Sequence, residues 1–212
     1  MSVKDYETRL YVKDNLSIGK SLVLKNDQSH YIRSVLRLKE NSQIDSFNGE
    51  EGEWLSTIKI ISKKFVELEV IEQIKLQEVI SDIWLVFAPI KRTRIDYLAQ
   101  KATELGAGAL WPIFTKYTSV SSVNAERLRS NSIEAAEQSG RLTVPKILDP
   151  IDFDTLIEKW PRDRDLFCLD ETGRGAPILD AFRSSHQRAS GLLIGPEGGF
   201  AKEELDLSLI HI

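Results

Sequence analysis

The chain has 212 residues, 42% of them hydrophobic and 28% charged, with a formal net charge of −4. This balance is ordinary for a globular protein, argues against a disordered chain, and suits one large or two small domains. No apolar run approaches the roughly 20 residues of a membrane span, the N-terminus has no secretory pattern, and a single cysteine, Cys168, excludes a disulfide framework and points to the cytoplasm. Lys and Arg number 28 against 32 Asp and Glu, so any contact with nucleic acid must come from a local basic patch.

The first 75 or so residues read as short strands. Val66 to Ile71 opens by alternating apolar and charged residues, the mark of a half-buried strand. Asn48-Gly49 lies between Ile44–Phe47 and Trp54–Ile60 and predicts a hairpin. A helical turn is expected around His30 to Leu36, inside a small barrel or sandwich.

From about Ser81 the rhythm changes. Ile83 to Phe87 is a continuous apolar run, as in a strand buried on both faces. Ile95, Leu98, Ala99, Ala102 and Leu105 follow at the spacing of one helical face, with Gly106 as a C-terminal cap. A strand at Ala109–Ile113 precedes a helix from about Ala125 to Ser139, closed by Gly140. Apolar runs at Thr143–Leu148, Leu166–Leu169 and Gly191–Ile194 alternate with helical stretches at Asp152–Lys159 and Ile178–Arg183. Alternation of this kind predicts an α/β domain with a parallel sheet, joined to the first domain near residues 75–80.

Most catalytic patterns are absent. One cysteine and three scattered histidines (His30, His186, His211) offer no metal-ligand spacing, and neither phosphate-cradle nor dinucleotide fingerprints occur. Cys168, mid-strand, reads as a small buried hydrophobe. What remains is the run Leu192 to Phe200, where a strand ends in the loop Gly195-Pro196-Glu197-Gly198-Gly199 before a helix begins. Ligands in open α/β sheets bind at such strand ends, and glycines admit close backbone approach. A tight strand-to-helix turn accounts for the spacing equally well. Glu197 is also an ordinary acidic neighbour of a helix N-terminus.

Three further segments invite a functional reading, although each is also the ordinary form of a solvated helix end. Gln100 to Gly106 and Ala135 to Arg141 each end a helix with polar residues. His30, Arg33 and Arg37 crowd one short stretch of the first domain. Apart from these three, Lys91, Arg92 and Arg94 open a helix, where cations oppose the macrodipole and suggest a phosphate partner.

In order, Arg9-Leu10-Tyr11-Val12, the stretch His30 to Lys39, Phe47-Asn48-Gly49, Gln100 to Gly106, Ala135 to Arg141 with Pro145, Leu169 to Glu171, and Ile194 to Phe200 resemble the 16S rRNA (uracil-N3)-methyltransferase family of the SPOUT superfamily. The match covers nearly the whole chain, and Ala135–Arg141 with Ile194–Phe200 is its most specific part. The resemblance implies a PUA-like RNA-binding β-barrel over residues 1–76 and a SPOUT α/β knot domain over 77–206. It further implies a homodimer with S-adenosylmethionine as cofactor, no metal, no membrane, and 16S rRNA of the small ribosomal subunit as substrate.

Carried onto this chain, Leu169, Ile194, Gly195, Pro196, Glu197, Gly198 and Gly199 would wall the cofactor pocket. Arg9, His30, Arg33, Arg37, Lys91 and Arg92 would meet RNA. Methylation of a uracil N3 needs a cation for the developing anion and a group that takes the N3 proton; these roles fall to Arg141 and Glu197.

After Glu204 the resemblance stops, where family members continue with a segment of the form LGxRILRxETA that threads the knot. The expectation is a truncated domain with a non-native tail at 207–212, from a sequencing adapter or a frameshift. On that expectation a noncatalytic RNA-binding remnant is the alternative function.

Overall fold

A computed structural model describes residues 8–79, 81–169, 172, 173, 175–185 and 189–210. The chain divides into two compact units: Met1–Val79 with Ala136–Val144, and Ile80–Ala135 with Pro145–Ile212.

In the first unit, β1 (Arg9–Tyr11), β2 (Ser21–Lys25), β3 (Gln43–Phe47), β4 (Glu53–Ile61) and β5 (Phe65–Lys75) form one sheet in the order β1-β3-β4-β5-β2. The sheet curls into a half-barrel with β1 and β2 at its two edges, the PUA-like form expected for this region. β1 runs parallel to β3, and the remaining pairs are antiparallel. Alternation in β5 buries Val66, Leu68 and Val70 against Leu10, Leu22, Leu24, Ile44 and Ile58. The expected Asn48-Gly49 hairpin is present, but its loop spans residues 48–52: Asn48 Oδ1 accepts from the amides of Glu50 and Glu51, and Gly49 and Gly52 take positive φ. The predicted helical turn is a short α-helix, α1 (Asn26–His30), running into a π-helical turn at Tyr31–Val35.

In the second unit, β6 (Ile83–Phe87), β7 (Ala109–Phe114), β8 (Lys146–Ile147), β10 (Asp165–Leu169) and β11 (Ser190–Ile194) are parallel, in the order β10-β11-β6-β7-β8. β9 (Ile151–Asp152) pairs with the end of β7. The connecting helices are α2 (Arg92–Glu104), α3 (Ala125–Ser139), α4 (Phe153–Lys159) and α5 (Ile178–Ser184), and α6 (Lys202–Ile210) follows β11. The last four residues of α3 group with the first unit.

The expected run Thr143–Leu148 contributes only two strand residues. Leu105, read as part of the apolar face of α2, is 82% exposed instead. It lies at the C-cap, and the Gly106 amide donates to the Thr103 carbonyl as the chain turns away. Apolar strands are sandwiched between helices: Val86, Leu166 and Leu193 pack with Phe153, Leu156, Phe200 and Leu205 on one side, and Phe87 and Leu110 with Ile95, Ala99 and Leu128 on the other. Gly191 is needed inside β11, since a Cβ there would lie 2.3 Å from the Trp160 ring.

Candidate functional site

In the second unit the strand register brings the expected cofactor residues to one edge of the sheet. Leu169 ends β10 opposite Ile194, which ends β11, and Ile194 in turn faces Phe87, the end of β6. A parallel sheet points its carbonyl ends and the loops that follow them to one side, so residues distant in sequence converge there. Leu169 and Ile194 are 38% and 37% exposed, unusual for apolar residues of a parallel strand.

The loop after Ile194 is a tight turn in which the Gly199 amide donates to the Pro196 carbonyl at 2.9 Å. Its three glycines differ in how far the fold requires them. At Gly195 a Cβ would sit 2.8 Å from the ring of Phe200, which folds back into the core. Gly199 is buried at φ +72°, in the left-handed region that side chains disfavour. Gly198 is exposed, has no positive φ, and a Cβ there would meet only Tyr117 Cβ at 3.4 Å. Neither the turn nor the packing requires a glycine at 198.

Of the other loop residues, Pro196 is buried and Glu197 exposed, the latter forming a loose ion pair with Arg94 at 3.6 Å. Both partners are largely solvated, so the pair holds Glu197 only weakly. Lys91, at the N-cap of α2, is exposed. Arg92 begins that helix, with its side chain outside the described residues; Glu171, His186 and His211 also lie outside them.

A cavity of about 380 Å³ lies nearby in sequence, lined by Phe114, Lys116, Phe153, Ala201, Glu203 and Leu207 among others. None of the expected cofactor residues lines it. Its Glu203 carboxyl is held below the usual range by a main-chain hydrogen bond and by Lys116.

The other expected residues belong to the first unit. His30 and Arg37 are exposed, while Arg33 is half-buried with its Nε donating to the Ser29 carbonyl at 3.2 Å. Arg37 stands at φ +56°, just past the π-helical turn, where the Leu38 amide donates back to the Ile32 carbonyl. Glycine is the usual residue in such a cap.

Arg9 is oriented inward. Its guanidinium pairs with Glu53, donates to the carbonyls of Ala136, Glu137 and Arg141 at 2.8, 2.9 and 3.2 Å, and lies 4.6 Å from the centre of the Phe47 ring. The amide of Tyr11 donates to the Glu137 carboxylate at 2.9 Å. Ala136 and Leu142 pack on Phe47, so part of the segment 135–141 is core. Glu53, Tyr11 and Phe200 were not among the sequence candidates. No periodic signal links Arg9 to residues more than 120 positions away, whereas Tyr11 and Phe200 each lie within a family-like motif that does not by itself assign them a role.

Comparisons with known proteins agree with this architecture. The model of an RNA methyltransferase domain matches residues 77–209, and that of an RNA methyltransferase PUA domain matches residues 24–71. The chain is 34% identical to ribosomal RNA small subunit methyltransferase E of Rickettsia conorii, over 94% of this chain and 82% of that protein. It is 29% identical to the protein of the same name from Synechocystis, over 95% and 67%. The crystal structure of ribosomal RNA small subunit methyltransferase E from Neisseria gonorrhoeae, bound to S-adenosyl methionine, superposes with a TM-score of 0.85 at 26% identity, covering 96% of this chain and 86% of that one. No helix among the described residues is long and apolar enough to cross a membrane. The chain belongs to the RNA methyltransferase family that includes ribosomal RNA small subunit methyltransferase E.

Proposed function

We propose that this protein transfers a methyl group from S-adenosylmethionine to N3 of a specific uridine in 16S rRNA, in the cytoplasm and as a homodimer. The observation that carries this reading is the edge where Leu169 and Ile194 meet, followed directly in the chain by the loop that contains Gly198. A nucleoside cofactor asks for apolar walls for its ring and aliphatic parts, and for main-chain polar groups at its rim. Two part-exposed apolar strand ends and a glycine with no structural necessity supply both, so the residues fit the group. S-adenosylmethionine, when bound, supplies the electrophilic methyl group.

The protein's own residues then have positioning work to do. Loop 195–199 and the ends of β10 and β11 hold the cofactor and exclude water. Arg141 stabilises the negative charge that spreads over uracil as its N3 proton leaves, and Glu197 receives or relays that proton. The loose Arg94 pair leaves the Glu197 carboxylate able to turn toward a ligand. Placing N3 and the methyl carbon within roughly 3–3.5 Å supplies much of the rate.

RNA is gripped by His30, Arg33, Arg37, Lys91 and Arg92. The left-handed backbone at Arg37 supports its part in this, because a position shaped for glycine carries a long exposed cation instead. Exposed Tyr97 and Leu105 on and beyond α2 support self-association. The test is to incubate the protein with labelled S-adenosylmethionine and small-subunit RNA and to map the modified nucleotide. Methyl at N3 of one uridine is expected; methyl on a ribose oxygen or only on tRNA overturns the reading. RNA binding with no uptake of cofactor would instead make this chain a noncatalytic RNA-binding protein.

A further inference from the structure

We propose that Arg9 is a positioning residue that fixes the main chain carrying Arg141, and that it is not a contact for RNA. The inference rests on the role given above to Arg141.

A guanidinium has five N–H donors in a rigid fork. Four hydrogen bonds of Arg9 point into the protein, one to Glu53 and three to the carbonyls of Ala136, Glu137 and Arg141. The first two carbonyls are in the last turn of α3, where main-chain acceptors lack helical partners and the helix dipole favours a cation. The third lies past Gly140, whose φ of +78° turns the chain out of the helix. One planar group therefore ties both sides of that turn, so Arg141 leaves it in one register.

The fork is itself held. The Arg9 side chain is 16% exposed and that of Glu53 is 1% exposed. Phe47 packs on the guanidinium, and Lys75 also reaches Glu53, at 2.5 Å. Burial of the carboxylate restricts the guanidinium to the directions its partners allow. Two positions on, the Tyr11 amide holds the Glu137 side chain, so alternate residues of β1 grip one segment while Leu10 between them faces the half-barrel core. A lysine at position 9 could carry the charge but could not bridge three carbonyls and a carboxylate at once.

The test uses the full chain with Arg9→Gln, Arg9→Lys, Arg141→Ala and the Arg9→Gln/Arg141→Ala pair. Methyl transfer to small-subunit RNA is measured with kcat and KM separated, and amide hydrogen exchange is followed over residues 136–143. Arg9→Gln and Arg9→Lys are expected to speed exchange in that segment at least tenfold more than in β4 and β5, and to lower kcat by one to two orders of magnitude. Added to Arg141→Ala, the Arg9→Gln change should cost less than twofold more. Unchanged exchange in 136–143 overturns the proposal, as does an equal fractional loss of kcat in both backgrounds. Loss of RNA affinity with kcat and exchange intact would return Arg9 to the RNA surface. If Arg141→Ala alone has no effect, the role of Arg141 fails, and the exchange arm still decides whether Arg9 holds the segment. Should Arg9→Gln not fold, Glu53→Gln, which keeps the guanidinium and weakens its anchor, is expected to loosen the same segment to a smaller degree.

Discussion

The segment 135–141 and the loop 195–199 are both short motifs at the end of a regular element, yet they are built in opposite ways. The first is held from a distance: Arg9 and Tyr11 reach it across more than 120 residues of sequence, and Phe47 packs on Ala136. The second is held by its own neighbours, through a Pro196–Gly199 turn and the Phe200 ring laid back on Gly195. Within each motif some residues answer to the fold and only the remainder is available to a ligand. In the first, Ala135 and Ala136 are core; in the second, Gly195 and Gly199 are required by packing and backbone, leaving Ile194, Glu197 and Gly198 exposed.

Substitutions can break this contrast, and the largest effect is expected where the long-range anchor is removed. Arg9→Ala should destabilise the first unit by about 3 kcal/mol, since it strips a buried carboxylate of one of its two cations and frees three carbonyls. Denaturant unfolding measures this, and a loss under 1 kcal/mol would mean that the segment is held mainly by Phe47. Gly195→Ala should cost about 1–3 kcal/mol, because the new methyl displaces the Phe200 ring.

Gly198→Ala sharpens the comparison. Thermal stability should stay within about 0.5 kcal/mol, while calorimetric affinity for S-adenosylmethionine falls about tenfold, roughly 1.4 kcal/mol. Equal affinity would place the cofactor away from this glycine. Arg37→Gly should leave stability unchanged or raise it by up to about 1 kcal/mol, by relieving the left-handed backbone. RNA affinity should fall nonetheless, with the salt slope reduced by about one. A variant that is neither more stable nor weaker on RNA would make Arg37 an ordinary helix cap.

The smallest effect concerns a conventional helix end. The Asp152 carboxyl accepts from the Thr155 amide at 2.8 Å and from its hydroxyl, which holds its pKa below the ordinary value. A lowered folded-state pKa contributes stability that is present above the unfolded pKa and lost as pH falls through the folded one. Acid titration should therefore weaken wild type slightly more than Asp152→Asn, and identical acid profiles would remove this contribution.

Much of the fold was legible from the sequence. Period-two alternation located β5, the run Ile83–Phe87 gave a buried parallel strand, and the 3.6 period with Gly106 and Gly140 delimited α2 and α3, because these signals are local. The motif 194–200 was visible as a candidate site for the same reason. Errors fell where locality failed. Leu105 satisfied the helical spacing but lay one residue beyond the helix, and Thr143–Val144 were apolar in pattern without pairing in a strand.

What the sequence by itself determined is the kind of the longer elements and the family to which its motifs belong, since covalent spacing and periodicity are enough for both. Tertiary structure alone decided which glycine is free, which arginine turns inward and which outward, and that Leu169 and Ile194 share an edge. The reason is physical: a guanidinium binds whichever acceptors the fold brings within about 3 Å, and nothing in the order of residues says that positions 9, 53 and 141 will meet.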